Sequence, residues 1–74
     1  MKEGILIWNE HLKRLDIAYS DGQCYGGLHC GDVVETMVEN AWRHVRVEYC
    51  DSSGHWFLVG RECGSQIFGL PVRN

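Results

Sequence analysis

The sequence predicts one small all-β domain, and three observations carry that prediction. The chain has 74 residues, which allows a single domain because autonomous domains start at roughly 50 residues. Its hydrophobic fraction is 45% against 23% charged residues, with one Pro, and this balance is typical of a folded globular chain. Its nine Gly residues mostly separate short apolar runs, a spacing typical of strands joined by tight turns.

The first third of the chain predicts three strands. The apolar run at 4–8 forms the first, and a polar turn over 9–14 follows it. Residues 15–19 alternate large apolar side chains with polar or small ones, which indicates a half-buried strand. The Asp-Gly pair at 21–22 predicts a hairpin turn because Gly accepts positive φ, so a short strand should return over 23–25.

The middle of the chain predicts a hairpin. Apolar residues at helical spacing allow a short helix over 32–41, but four residues of this segment are β-branched, which favours a strand at 33–38. A turn over 39–41 then leads into a strand at 42–49, where apolar and polar side chains alternate. The two strands are close in sequence and are therefore expected to pair.

The last part of the chain predicts two more strands. A polar turn at 51–54 precedes a short aromatic strand at 55–59. After a polar loop at 61–65, the run 66–73 forms the final strand. Its Pro71 suits a sheet edge or a break, because Pro cannot donate a ladder hydrogen bond.

Five or six short antiparallel strands without a long helix favour a small half-open barrel of the SH3-like kind. Curling the sheet on itself lets each strand bury one face and protects most of the exposed edges. The whole chain, residues 1–74, is expected to form this one domain. The predicted core consists of Ile5, Ile7, Ile17, Tyr19, Val34, Val45, Val47, Phe57, Val59, Ile67 and Leu70.

Charge and the start of the chain limit the partners and the compartment. A net charge of -3 and a pI near 5.7 argue against a general attraction to nucleic acid or to an anionic membrane. Residues 5–8 are the single early apolar run, too short for a signal peptide or a membrane span. We therefore expect a cytoplasmic protein with reduced cysteines that pack as small apolar residues: Cys24, Cys30, Cys50 and Cys63.

Four strings of the sequence carry a resemblance to known proteins: YGGLHCGD at 25–32, WRHVRVEY at 42–49, WFLVG at 56–60 and GLPVR at 69–73. They resemble an uncharacterised family, a domain of unknown function in short bacterial proteins that often lie near mobile-element genes. The resemblance implies an SH3-like β fold and a mobile-element context, and it implies no catalytic residue. Asn-Ala at 40–41 replaces the family's Asn-Gly, which argues against a two-residue turn with positive φ at both positions.

No enzymatic activity and no cofactor are predicted. A Cys nucleophile needs a base within hydrogen-bond reach, and Cys30 with His29 is the nearest such pair in the sequence. Adjacent residues of an extended strand point to opposite faces, so this pair has the wrong geometry. A domain of this size also lacks room for a substrate pocket of about 300 Å³.

Zinc binding is a weaker alternative, because the short chain contains six potential ligands: Cys24, His29, Cys30, Cys50, His55 and Cys63. Structural zinc takes four such ligands in a tetrahedron. The sequence has no Cys-x-x-Cys pair, and its cysteines lie further apart than the usual spacing of about two to four residues. No metal ligand is therefore predicted.

The predicted binding site is built from aromatic and basic side chains around one strand. Three Trp residues are too many to bury cheaply in so small a core, and Trp42 shares its strand phase with polar residues. We expect that phase to face a partner, although Trp42 alternatively covers the open end of its own barrel. The predicted partner-binding residues are Trp42, Arg43, His44, Arg46 and Trp56.

Two functions fit this site. The favoured one is a protein-interaction module, an accessory or counter-defence inhibitor protein of a mobile genetic element, because an acidic chain can act by occupying another protein's surface. The alternative is a nucleic-acid-binding SH3-like barrel, in which a local basic patch acts despite the negative net charge. That patch would consist of Arg43, Arg46, Arg61 and Arg73 beside Trp42. A membrane partner is not expected, and the sequence leaves the oligomeric state open.

Overall fold

A computed structural model describes residues 2–60 and 67–74. These residues contain strands and turns but no helix, so the predicted all-β class is confirmed. Within the same two ranges, no helix is long and apolar enough to span a membrane. The strands are β1 Glu3–Asn9, β2 Arg14–Tyr19, β3 Val33–Val38, β4 Ala41–Cys50, β5 His55–Leu58 and β6 Pro71–Arg73.

The six strands form one antiparallel sheet in the order β2-β1-β6-β3-β4-β5. β6 lies between β1 and β3 and so joins the β1–β2 hairpin to the β3–β4–β5 meander. The sheet is not closed into a barrel, because the edge strands β2 and β5 do not pair with each other in the described part of the chain. The predicted arrangement of five to six antiparallel strands is confirmed.

The central position of β6 corrects the expectation for Pro71, which was predicted at a sheet edge or a break. Pro71 is the first residue of β6 and pairs with Ile5 of β1. Its carbonyl accepts a hydrogen bond from the Thr36 hydroxyl at 2.9 Å, on the side facing β3. A strand tolerates Pro at its first residue, where the missing N–H costs the ladder one hydrogen bond.

The β3–β4 hairpin forms as predicted, and the helical alternative for this segment is excluded. Val38 pairs with Ala41, so Glu39 and Asn40 are the two turn residues. Their φ angles are 51° and 65°, and positive φ at both central residues matches the right-handed twist of the flanking strands. The expectation against such a turn was wrong, because Ala41 already belongs to β4 and the turn lies one residue earlier.

The segment that follows β2 covers the open side of the sheet. It forms an isolated bridge at Cys24 in place of the strand predicted at 23–25. Further on, the Leu28 amide donates to the Leu15 carbonyl of β2 at 2.8 Å, and the Gly31 amide donates to a carbonyl of β4 at 2.7 Å. This segment therefore runs along the outer edge of β2 and then crosses to β4.

The core lies on the concave side of the curled sheet. Four predicted core residues are buried there, Ile17, Val34, Val47 and Ile67, while three others pack at its margin, Tyr19, Val45 and Leu70. The complete set of buried apolar residues in the described chain is Leu6, Leu15, Ile17, Leu28, Val34, Val47, Leu58, Ile67 and Val72.

β1 and β5 turn the opposite face to the core from the one predicted. In β1, Leu6 is buried while Ile5 is 46% exposed. In β5, Leu58 is buried, and Val59 just beyond it is 38% exposed. The runs 5–8 and 56–59 are apolar at every position, so they show no period-two signal from which to assign the inward face. The core predictions for Ile5, Ile7, Phe57 and Val59 are therefore wrong.

Among the described residues, the buried carboxylate is that of Asp16 on β2. Its Oδ1 accepts the amides of Ile17, Gly26 and Gly27 at 2.8 to 2.9 Å, and its Oδ2 accepts the Asn9 side-chain amide at 2.8 Å. Burial alone would raise the pKa of Asp16, but these four hydrogen bonds together outweigh it and lower the pKa. Asp16 thereby fixes the glycine segment against β2.

Two of the cysteines do not pack in the core as predicted. Cys24 and Cys30 are exposed, and Cys50 is half-buried at the end of β4. Cys63 lies outside the described residues.

Candidate functional site

The outward face of the central strands holds the candidate site. Residues two apart on a strand share a face, so Trp42, His44 and Arg46 of β4 lie together. The cross-strand register places Met37 beside Trp42 and Glu35 beside His44. We call this surface the Trp42 face; it consists of Trp42, His44 and Arg46 of β4, Val33, Glu35 and Met37 of β3, Pro71 and Arg73 of β6, and Glu3 and Ile5 of β1.

Trp42 is half-buried on this face because an Arg side chain lies over its ring. The guanidinium carbon of Arg73 is 4.3 Å from the Trp42 ring centroid, well inside the range of about 6 Å for a cation–π contact. Trp42 is not part of the core cluster. The alternative in which Trp42 covers the open end of the barrel is therefore not supported.

Glu35 links the residues on either side of it. Its Oε1 accepts a hydrogen bond from Arg73 Nε at 2.7 Å, and its Oε2 lies 3.5 Å from His44 Nε2. The Glu35 side chain is only 12% exposed, whereas the His44 ring is 74% exposed. Glu35 thus holds Arg73 in place over Trp42, and His44 stands at the rim with most of its surface in solvent.

The second Arg of the face also has a carboxylate partner. Arg46 Nε lies 2.8 Å from Glu48 Oε2, and the Arg46 side chain is more than half exposed. Its cross-strand neighbour Val33 is 55% exposed. The Trp42 face therefore combines exposed apolar surface with cations that are each matched by an anion.

Two predicted site residues lie elsewhere. Arg43 alternates with its neighbours on β4 and pairs with Thr36, so it belongs to the opposite face from Trp42. Trp56 packs against the core, in edge-to-face contact with Tyr49 at 5.4 Å and with the Arg14 guanidinium 5.9 Å from its ring centroid. The contact with Arg14 bridges the two edge strands, β5 and β2. Trp56 thus helps to hold the curled sheet together.

Comparison with known proteins places this sheet in a family. The model of a domain of unknown function, DUF5348, matches residues 4–74. The chain belongs to the DUF5348 family. The predicted membership of a domain of unknown function is thereby confirmed.

A solved structure shows the same architecture at 38% sequence identity. The crystal structure of a protein from Ruminococcus gnavus, determined by the Northeast Structural Genomics Consortium, is 38% identical to this chain with a TM-score of 0.83. The alignment covers 99% of this chain and 100% of that one. The search of curated proteins found no match.

Several residues of the site in this DUF5348 chain were not predicted from the sequence, namely Glu3, Ile5, Val33, Glu35, Met37 and Pro71. The sequence contains one signal that points to Glu35: it is the single charged residue inside the strand at 33–38, on the phase of Val33 and Met37. The contributions of β1 and β6 depend on pairing between distant segments, which local patterns do not reveal.

The structure also describes most of the residues considered for zinc and for nucleophilic chemistry. Over residues 2–60 and 67–74, no group of three or more His, Cys, Asp and Glu side chains is arranged to hold a metal ion. His29 instead lies beside Asp32, whose Oδ2 accepts the His29 backbone amide at 2.8 Å and is 3.8 Å from its ring. Cys63, the remaining cysteine of the zinc alternative, is outside the described residues.

Proposed function

We propose that this DUF5348 protein is a small interaction module that binds a protein partner through the Trp42 face. The observation that carries the proposal is a charge-balanced surface around a half-buried Trp. Arg73 is stacked on Trp42 and hydrogen-bonded to Glu35, so its position is set before a partner arrives. Trp and Arg are the side chains that most often anchor protein interfaces, and preorganised anchors lose less entropy on binding.

The same charges argue against nucleic acid as the ligand. Phosphate binding draws its free energy from cations that neutralise the backbone and release counterions. On the Trp42 face, Arg73 is paired with Glu35 and Arg46 with Glu48, so phosphates would meet carboxylates beside each cation. Arg43 lies on the other face, and Arg61 is outside the described residues. A protein partner is the better match.

In the cell, this activity would be binding without catalysis or a cofactor. The resemblance to proteins encoded near mobile elements extends the proposal to an accessory or counter-defence protein that acts in the cytoplasm by occupying a protein surface. The sheet would then serve as an SH3-like scaffold, a kind of architecture that elsewhere receives peptides beside a hairpin.

Site-specific cross-linking in the native host tests the proposal. Arg43 and Arg46 are both exposed and lie on one strand, but on opposite faces, so they form a matched pair of sites. A photo-reactive amino acid at position 46 is expected to give a covalent adduct with protein, and the same amino acid at position 43 should give none. Adducts are detected on denaturing gels and identified by mass spectrometry.

Two further measurements in the cross-linking experiment test the role of Trp42 and distinguish a protein partner from nucleic acid. Trp42→Ala in the cross-linker background should reduce the adduct strongly, since removal of a central anchor costs about 2 kcal/mol or more, while circular dichroism confirms an intact sheet. Nuclease treatment before illumination should leave the adduct unchanged. Equal adducts from both positions, or an adduct to nucleic acid, would contradict the proposal.

A further inference from the structure

Two rows of side chains cross the Trp42 face at right angles to the strands. The first row is apolar and runs through β1, β6, β3 and β4 as Ile5, Pro71, Met37 and Trp42. The pairs Ile5–Pro71 and Met37–Trp42 belong to the strand ladders. Pro71 comes beside Met37 when the β3–β6 register, which matches Thr36 with Val72, is continued by one residue.

The second row is charged, and its signs alternate. In the same strand order it consists of Glu3, Arg73, Glu35 and His44, and each neighbouring pair is a register pair of the sheet. The order of charge is therefore negative, positive, negative and, when the His44 imidazole is protonated, positive. Reversing this row converts every sign into its opposite.

We infer that the partner of the Trp42 face is a second copy of this chain, an inference that rests on the proposed function and names its ligand. A two-fold axis parallel to the strands, between β6 and β3, would lay one face on the other with each row reversed. Glu3 would then meet His44 of the second copy, and Arg73 would meet its Glu35. A two-fold interface requires this kind of self-complementary surface.

The apolar row is compatible with the same axis. Reversal places Ile5 opposite Trp42 of the second copy, with Arg73 stacked on its ring, and Pro71 opposite Met37. The 46% exposed Ile5 then loses its contact with water. Placed between the two rows, a two-fold axis perpendicular to the strands would set the charged row on the apolar one. Placed along the charged row, it would set each residue of that row opposite itself. Glu3 would then face Glu3 and Arg73 would face Arg73, which like-charge repulsion disfavours. The charge pattern thus selects one arrangement of the two sheets.

Charge neutrality within the face permits close approach of two copies. The chain has a net charge of -3, so random encounters between copies are repulsive. Arg73 keeps its hydrogen bond to Glu35 inside each copy, which limits the cost of removing both from water. The attraction that the charged row adds between two copies then comes from its two ends, Glu3 and protonated His44. Each of these has an oppositely charged neighbour on one side only within its own copy.

Sedimentation equilibrium of the purified chain over a range of concentrations tests the inference. The wild type is expected to associate reversibly to a dimer. Glu3→Lys and His44→Glu should each weaken the dimer about tenfold, while the double substitution should restore it because the two signs are exchanged. Asp51→Lys, in the exposed turn between β4 and β5, changes charge by the same amount away from the face and should leave the dissociation constant unchanged.

The outcomes distinguish this inference from the proposed function. A wild type that stays monomeric up to about 1 mM, an affinity range in which specific complexes would already form, overturns the second-copy inference. So does a dimer that neither single substitution weakens, or one that the double substitution fails to restore. A cross-link from position 46 to a different protein would likewise overturn it and leave the proposed function intact, whereas a cross-linked species of twice the chain mass supports both.

Discussion

Asp16 and Glu35 are two carboxylates that lie largely out of water, and different kinds of group stabilise their charges. Three backbone amides and one side-chain amide hold Asp16, all of them within twelve positions of it along the sequence. Glu35 is held by side chains from other strands, Arg73 of β6 and His44 of β4. The first arrangement fixes the path of the backbone, and the second shapes a surface.

This difference separates a structural carboxylate from a functional one. The amides around Asp16 cannot move away without displacing the glycine segment that covers the open side of the sheet. The groups around Glu35 are side chains, so they can be changed without displacing the backbone of the sheet. Substitutions at the two positions should therefore differ in what they change: stability at Asp16, and the Trp42 face at Glu35.

The largest expected effect is that of Asp16→Asn. Asp16 accepts three backbone amides at Oδ1 and the Asn9 side-chain amide at Oδ2. The variant keeps one carbonyl oxygen and replaces the other oxygen with an NH2 donor, so at least one of these amides loses its acceptor. We expect a loss of about 2 to 4 kcal/mol, because a buried hydrogen-bonded charge is removed, and a fall in Tm of about 10 °C or more for a domain of this size.

Asp21→Asn is the matched control for this measurement. Asp21 also accepts a nearby amide, that of Gln23, but it lies in an exposed turn. Its substitution should leave the thermal transition nearly unchanged. Similar transitions for both variants would show that Asp16 does not hold the glycine segment.

Protonation of Asp16 in acid should lower the free energy of unfolding, by less than the substitution Asp16→Asn lowers it at neutral pH. Burial would raise the pKa of Asp16, but the hydrogen bonds outweigh it and hold the folded-state pKa below the unfolded value of about 3.9. The stabilisation is therefore fully present above about pH 4 and is lost as pH falls through the folded pKa. Urea denaturation between pH 7 and pH 2 should show a steeper loss for the wild type than for Asp16→Asn; parallel curves would contradict this.

Glu35→Gln should have a smaller effect on stability. Gln keeps the shape of the side chain but weakens the hydrogen bond from Arg73, whose side chain is 28% exposed, so water partly compensates. We expect a loss of about 1 to 2 kcal/mol, measured by urea denaturation. Glu48→Gln, which removes the partner of the more exposed Arg46, should cost less than about 0.5 kcal/mol. A larger effect at Glu48 than at Glu35 would remove the distinction between them.

The parts of the fold that depend on neighbouring residues could be predicted from the sequence. β3 was predicted with its bounds, and β4 within one residue at each end, because alternation and turn chemistry are both local there. β1 was found but its inward face was not, since the run at 5–8 is apolar throughout. The alternation at 15–19 places Asp16 on the polar phase of β2, and its burial depends on Gly26 and Gly27, which come back to it after a turn.

The candidate site likewise has a part that the local sequence predicts and a part that depends on pairing between distant strands. Trp42, His44 and Arg46 lie on one face because they alternate along a single strand, and the sequence shows this directly. Arg43 is predicted at the same site, but it is the direct neighbour of Trp42 and His44, and adjacent residues of a strand lie on opposite faces. The stacking of Arg73 on Trp42 depends on β6 entering between β1 and β3, and no pattern within residues 71–73 specifies that position.

The place of β6 in the sheet also sets the order in which the protein can be completed during translation. The three residues 71–73 follow all other strands in the chain, yet they separate β1 from β3 in the middle of the sheet. Ribosomes add about 5 to 20 residues per second. The β1–β2 hairpin and the β3–β4–β5 meander are therefore synthesised before β6, and until then the facing edges of β1 and β3 are unpaired. Such edges are templates for pairing with other chains. Until β6 is added, the nascent protein is thus open to misassembly at these two edges.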